Sequence, residues 1–277
     1  MRVGNLDGRA VLVRGQECAD IEQASGGHLP DDPLALLERW VELQATDFSQ
    51  AQFAPLAVER LGAPVPNPRQ VFALAVNYRE HAAEARTEAP ETPYVFTKFP
   101  SCITGPFAEV RLPSNRTDWE VELVAVIGKR AGKVSASDAW SVIAGLTVGQ
   151  DISERRVQFR KPIPHLSVAK SFPTFGPIGP VLVTVDEFGN PDDLALRCAI
   201  DGEEMQSSRT SEMVFSVPQL VESISAMVTL LPGDVIFTGT PSGVGSTRDP
   251  RRYLEPGQLI ESEVEGIGAM RNRCLEA

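Results

Sequence analysis

Asp118-Trp119-Glu120-Val121-Glu122-Leu123-Val124-Ala125-Val126-Ile127-Gly128 sets an apolar run directly behind two closely spaced carboxylates. The run predicts a buried strand over Val121–Gly128. Residues i and i+2 of a strand face the same way, so Glu120 and Glu122 stand side by side, roughly 6–7 Å apart at their Cα atoms. Two carboxylates on one face of a buried strand repel each other, and each is costly to desolvate. Something cationic must compensate them. A divalent metal such as Mg²⁺ or Ca²⁺ is the economical answer, because hard cations take carboxylate oxygens. The alternative is an edge strand whose carboxylate face is wet.

Two further segments supply matching chemistry. In Gly149-Gln150-Asp151-Ile152-Ser153-Glu154-Arg155-Arg156-Val157-Gln158, Asp151 follows an apolar stretch and is expected at a strand end. If a helix or turn follows, Arg155 and Gln158 share its face and set a guanidinium and an amide beside the carboxylate; an Asp cap with a helix salt bridge is the plainer reading. In Asn77-Tyr78-Arg79-Glu80-His81-Ala82-Ala83-Glu84, His81 and Glu84 are neighbours on one helical turn. A carboxylate on one ring nitrogen fixes the tautomer and raises basicity at the other, as a general base needs. The segment opens AAEARTEAPETP (Ala82–Pro93), a polar stretch that reads as a solvated loop or as a closing lid. Thr238-Gly239-Thr240-Pro241-Ser242-Gly243-Val244-Gly245 is neither a phosphate loop nor a dinucleotide fingerprint. It reads as a tight loop after a strand, offering hydroxyls and N–H groups to a small anionic pocket.

Further strands are expected at Arg9–Arg14, Val71–Val76, Val181–Val185, Leu194–Ile200, Asp234–Thr238 and Leu259–Val264. Helices are expected after Asp32, with Leu34, Leu37 and Val41 on one face, and after Ser216, with Leu220, Val221, Ile224, Met227 and Val228 on one face. A third is expected over Ser137–Ala144, stopped by Gly145. The fold class is therefore mixed α/β and β-dominated. The proline-rich segment Leu61–Gln70 reads as a linker, dividing a small N-terminal α+β domain (1–66) from a larger domain (69–277).

The 277 residues carry 26 Lys and Arg against 37 Asp and Glu, a formal charge of −11. With no basic run, nucleic acid and anionic membranes are excluded as expected partners. No apolar stretch approaches the ~20 residues of a spanning helix, and the first residues lack a signal-peptide core. Cys18, Cys102, Cys198 and Cys274 lie far apart, which suits a reducing compartment. The expected setting is cytoplasmic.

The segments VNYREHAAE, TDWEVELVAVIGK, GQDISERRVQ, AKSFPTFGPIGP, MQSSRTSEMVFSVPQLV, LLPGDVIFTGTPSGVG and VEGIGAMRNRC, in this order from about residue 69 to 274, resemble the fumarylacetoacetate hydrolase family. The resemblance implies a mixed β-roll catalytic domain, a divalent metal (usually Mg²⁺ or Mn²⁺) and a homodimer. It implies Glu120, Glu122 and Asp151 as metal carboxylates and His81 with Glu84 as a lid dyad activating water. Lys170 becomes the lysine that steadies a developing oxyanion, and Arg155, Gln158 and Thr240 become substrate contacts. The implied reaction is hydrolysis of a carbon–carbon bond in a 2,4-dioxo acid, an acylpyruvate or diketo sugar acid, to pyruvate and a carboxylic acid. Decarboxylation or tautomerisation of oxaloacetate-like acids, or isomerisation of hydroxydienoates, is the alternative on the same site. A ureidoglycolate-type lyase follows, and then a non-catalytic metal-dependent binding protein. Gln150, Pro173 and the KPIPHLS stretch depart from the family pattern and bear on substrate choice.

Overall fold

The computed structural model describes residues 1–277. Its elements run β1 (Arg2–Leu6), β2 (Arg9–Arg14), β3 (Glu17–Asp20), α1 (Pro33–Glu38), α2 (Trp40–Ala45), β4 (Val71–Ala75), α3 (Arg79–Glu84), β5 (Tyr94–Thr97), β6 (Val121–Ile127) and β7 (Ile143–Gln150). They continue with α4 (Arg155–Gln158), β8 (Gly176–Val183), β9 (Ala195–Ile200), β10 (Glu203–Arg209), α5 (Val217–Met227), β11 (Val235–Phe237), β12 (Leu259–Val264) and β13 (Gly268–Glu276). A mixed twelve-stranded sheet has the backbone order β3-β2-β1-β8-β7-β6-β11-β4-β5, with two-residue strands at its margins. A five-stranded sheet, β10-β9-β12-β13 plus Val110–Leu112, faces it.

Strand β6 lies at the centre of the large sheet, antiparallel to both β7 and β11, and every residue in it is buried. Alternation divides its side chains between two apolar clusters. Val121, Leu123, Ala125 and Ile127 join one cluster, while Val124 and Val126 join a second with Leu36, Leu37 and Trp40 of the N-terminal helices. A strand covered on both faces reads as a continuous apolar run, which explains the sequence. Glu120 and Glu122 share the parity of Val124 and Val126. The N-terminal helices cover the far end of that face, and the carboxylates occupy the near end.

The expected separation of residues 1–66 takes another form. β1 pairs with β8, so the N-terminal strands extend the catalytic sheet, and one apolar cluster draws residues from both sides of the expected boundary. The proline-rich segment is no free linker: Leu61 and Gly62 pair with β1, and Ala63 and Val65 are buried.

Local signals are confirmed where capping decides them. Asp32 accepts the Ala35 N–H at 2.7 Å, and the Ser216 N–H donates to the Gln219 side chain at 2.9 Å. Three readings are corrected. The first helix breaks at Arg39, which leaves Val41 57% exposed, and at the end of α5 Met227 is 73% exposed rather than packed. The segment after Ser135 forms 3₁₀ turns over Ala136–Val142, and Gly145 stops no helix but lies inside β7. A Cβ there would sit 2.3 Å from the Val183 carbonyl oxygen of β8, so the strands meet at this point only through glycine. Gly145→Ala should destabilise the sheet by about 1–3 kcal/mol and lower the melting temperature by several degrees. An unchanged thermal unfolding curve would show that β7 and β8 are free to separate there.

Candidate active site

Strand β6 delivers Glu120 and Glu122, and the end of neighbouring β7 delivers Asp151, which follows Gln150 directly. One carboxylate oxygen from each of the three lies within 4.8 Å of the others, and all three residues are buried. The sequence demanded compensating charge, and three cations supply part of it. The Lys170 ammonium donates at 2.7 Å to both Glu120 and Asp151 and at 2.8 Å to the Ser153 hydroxyl. Lys98, wholly buried, donates at 2.6 Å to the other Asp151 oxygen. Arg155 donates at 2.6 Å to Glu120, at 2.8 Å to Asp118 and at 2.6 Å to the Gln158 side chain.

Charge therefore falls unevenly on the trio. Burial opposes ionisation of Glu120, but Lys170 and Arg155 outweigh it and hold that carboxyl below the usual carboxylate range. Glu122 goes the other way: burial, reinforced by the Asp151 and Glu120 charges, pushes it well above that range. Its Oε2 accepts the Gly239 N–H at 2.8 Å, whereas its Oε1 is buried with no hydrogen-bond partner. An orphaned carboxylate oxygen facing two other carboxylates fits a bound divalent cation, which would take oxygens from Glu120, Glu122 and Asp151.

The loop after β11 holds this assembly in place. Its N–H groups do bind anions, as its sequence suggested, but the anions are the protein's own carboxylates. Gly239 donates to Glu122, Gly243 to Glu84 at 3.0 Å, and Gly245 and Ser246 to Asp118 at 2.7 and 2.9 Å. A Cβ on Gly245 would lie 1.9 Å from the Arg252 carbonyl oxygen, so only glycine brings the chain this close to Asp118. The Thr240 hydroxyl donates to the Val121 carbonyl and accepts from Gln206.

Above the carboxylates opens a cavity of about 440 Å³ that includes His81, Glu120, Arg155, Gln158, Lys170 and Thr240 in its walls. His81 lies on α3, and its Nδ1 is 3.2 Å from Glu84. Burial works against the Glu84 charge, but the His81 contact and the Gly243 N–H outweigh it, so the carboxylate stays ionised below its usual range. Val76 turns the chain from β4 toward α3 at φ +57°, a strained conformation for a β-branched residue, in the cavity wall.

The expected helical face joining Asp151, Arg155 and Gln158 is replaced by a different route to the same neighbourhood. Ser153–Glu154 is extended, Glu154 caps α4, and Arg155 meets Gln158 as i and i+3. All three Arg155 nitrogens are engaged by protein groups, so its contacts in this structure are to Asp118, Glu120 and Gln158. Sequence reasoning missed Lys98, Asp118 as the anchor of Arg155, and Gln206. Gln150, the departure beside Asp151, accepts the Glu120 N–H and donates to Ser262 of β12, tying the two sheets together.

The profile of the fumarylacetoacetate (FAA) hydrolase C-terminal family matches residues 70–275. The chain belongs to this family. It is 43% identical over 215 residues, 77% of this chain and 68% of the relative, to human oxaloacetate tautomerase FAHD2A, a mitochondrial protein. A Mycobacterium smegmatis structure provisionally described as an HpcE protein superposes with a TM-score of 0.94 at 47% identity, each chain fully covered. Maleylpyruvate hydrolase from Sphingobium sp. SYK-6, solved with manganese(II) and pyruvate, gives 0.82 at 28% identity, again with both chains fully covered. The chain is thus an enzyme of a family whose members include hydrolases and tautomerases, and its mixed α/β, strand-rich fold is theirs. No helix is long and apolar enough to cross a membrane.

Glu122→Gln separates a cation ligand from a structural carboxyl. In protein stripped of divalent ions the variant should melt at or above the wild-type temperature, because the new amide donates where the acid had no partner. Mn²⁺ should raise the melting temperature of the wild type and leave the variant unmoved. An equal Mn²⁺ shift in both proteins would remove Glu122 from the ligand set.

Proposed function

We propose that this chain tautomerises a small 2-oxo dicarboxylic acid of the oxaloacetate class, with Mg²⁺ or Mn²⁺ held by Glu120, Glu122 and Asp151. One observation carries the reading: a single imidazole, backed by Glu84, lines the same cavity as Lys170 and as Glu120, the member of the carboxylate trio that reaches the cavity wall. The 43% identity to an oxaloacetate tautomerase over the catalytic region supports the substrate class.

When bound, the cation supplies Lewis acidity toward the 2-oxo group. Glu84 accepts from Nδ1 of His81 and so leaves Nε2 free as the base. That nitrogen takes a proton from the carbon beside the oxo group, and the electron pair passes to the oxo oxygen as an enolate. Lys170, fixed at the cavity floor by Glu120, Asp151 and Ser153, places a positive charge toward the developing anion. A proton returned to the oxygen completes the enol, and no co-reactant is consumed. Arg155, Gln158 and Thr240 shape the wall against which the acid is oriented.

A second reading, hydrolysis of the carbon–carbon bond of a 2,4-dioxo acid, is favoured by the cavity itself. Its size and its apolar wall of Leu74, Val76, Phe96 and Leu166 exceed what a four-carbon acid needs. There His81 would take its proton from water instead of carbon. Homodimerisation belongs to the same proposal, supported by exposed Tyr94, Phe99, Phe159 and Ile163, as does a reducing, cytoplasmic setting, supported by four buried free cysteines.

The test follows keto–enol exchange of oxaloacetate by ultraviolet absorbance, with acylpyruvates assayed in parallel by mass spectrometry. Exchange should be accelerated with Mg²⁺, lost with EDTA, and slowed about 10²–10⁴-fold by His81→Ala. Pyruvate and a carboxylic acid from acylpyruvates, without faster oxaloacetate exchange, would assign hydrolysis instead.

A further inference from the structure

Beside the active-site cavity lies a second concavity of about 350 Å³, lined by Arg116, Arg155, Arg156, Phe159, Arg251 and Tyr253. Arg155 and Phe159 form the wall shared by the two. Arg155 is buried and neutralised by Asp118 and Glu120. The other three arginines are exposed, and none meets a carboxylate. Arg116 lies over the Tyr253 ring at 5.1 Å and donates to its hydroxyl at 3.3 Å, while Arg156 donates to Asn115 at 3.0 Å. Several surface arginines are paired, Arg9 with Asp20, Arg197 with Glu263, Arg209 with Asp193, and nearby Arg252 with Glu203, while others such as Arg14, Arg79 and Arg86 meet no carboxylate; what distinguishes these three is that they line one concavity.

The main chain makes the cluster. Arg116 precedes the Thr117–Asp118 pairing with Ser153–Glu154, which brings it beside Arg156. The Arg155 N–H donates to the Arg116 carbonyl at 2.9 Å, and the Leu254 N–H donates to the Thr117 carbonyl at 2.8 Å, returning the Arg251–Tyr253 segment to the same rim. A chain of net charge −11 repels a dianion at long range. Three unneutralised guanidinium groups around one concavity reverse the field locally, and their planar fork matches a carboxylate.

We propose that this arginine concavity is a docking site for dianionic 2-oxo acids, capturing a carboxylate at the mouth of the active cavity and so favouring dicarboxylates over monoanions. The proposal rests on the oxo-acid reading of the active site for its substrate, but its ligand chemistry is tested without turnover. The probe is succinate, an unreactive dicarboxylate, titrated calorimetrically into the full chain with Mg²⁺ present, with butyrate as the monoanion. The Arg116→Gln/Arg251→Gln protein should bind succinate about tenfold more weakly, as expected for lost charged hydrogen bonds, and butyrate as before. Turnover of a dianionic substrate should then show a raised KM, a kcat within about twofold of wild type, and a flatter dependence of kcat/KM on salt. The Arg116→Lys/Arg251→Lys protein, which keeps the charge, should retain the salt dependence. Unchanged succinate affinity in the glutamine variant, or an equal loss for butyrate, would overturn the site. A protein that turns over no oxo acid yet loses succinate binding in the variant would keep the site and discard the assigned reaction.

Discussion

Burying carboxylates at the end of a strand that is closed on both faces is the constraint around which this molecule is organised. Asp118, Glu120, Glu122 and Asp151 are all withdrawn from water, and Lys98, Lys170 and Arg155 are withdrawn with them. Four acids thus face three cations. The mismatch settles on Glu122, the one acid of the group whose only hydrogen-bond donor is a backbone N–H. Isolated buried charge is costly, and the arrangement is sustained because nearly every other oxygen has a donor within hydrogen-bonding distance. The remaining deficit is what a divalent cation held by Glu120, Glu122 and Asp151 would offset.

The loop after β11 couples this centre to the His81–Glu84 pair. Four of its N–H groups are divided among Glu122, Glu84 and Asp118, so one backbone segment positions a member of the carboxylate trio, the carboxylate behind His81 and the anchor of Arg155. Glycine permits this because backbone approaches backbone and carboxylate too closely for a Cβ. Movement of α3 against that loop would therefore be felt at the carboxylates without passing through any apolar core.

Much of the architecture was legible in local chemistry. Strand β6, strand β12 and the caps of α1 and α5 follow from apolar runs, alternation and side-chain capping, which act within a few residues. The two glutamates on one strand face and the His81–Glu84 pair follow from periodicity alone. The failures share a cause. Gly145 has the local signature of a helix stop, but its partner, the Val183 carbonyl, is supplied by a strand far along the chain. Val41 and Met227 fit an apolar face by spacing, yet the break at Arg39 turns Trp40 and Leu43 inward instead of Val41, and Met227 is the last residue of α5, beyond its buried turns. Lys98 carries no local signal: in YVFTKFP it is one lysine beside aromatic residues, and only the fold encloses it beside Asp151.

By itself, the sequence determined a strand-rich mixed fold, the Glu120–Glu122 pair with its demand for positive charge, the His81–Glu84 spacing and the family. These are properties of short-range spacing and of residue types whose burial has an unavoidable electrostatic cost. Only the tertiary structure decided where the compensating charge comes from, that the glycine-rich loop serves the protein's own acids, that the N-terminal strands extend the catalytic sheet, and that three unpaired arginines share one rim. Each of those rests on contacts between segments distant in sequence, whose meeting depends on sheet order and register rather than on any local preference.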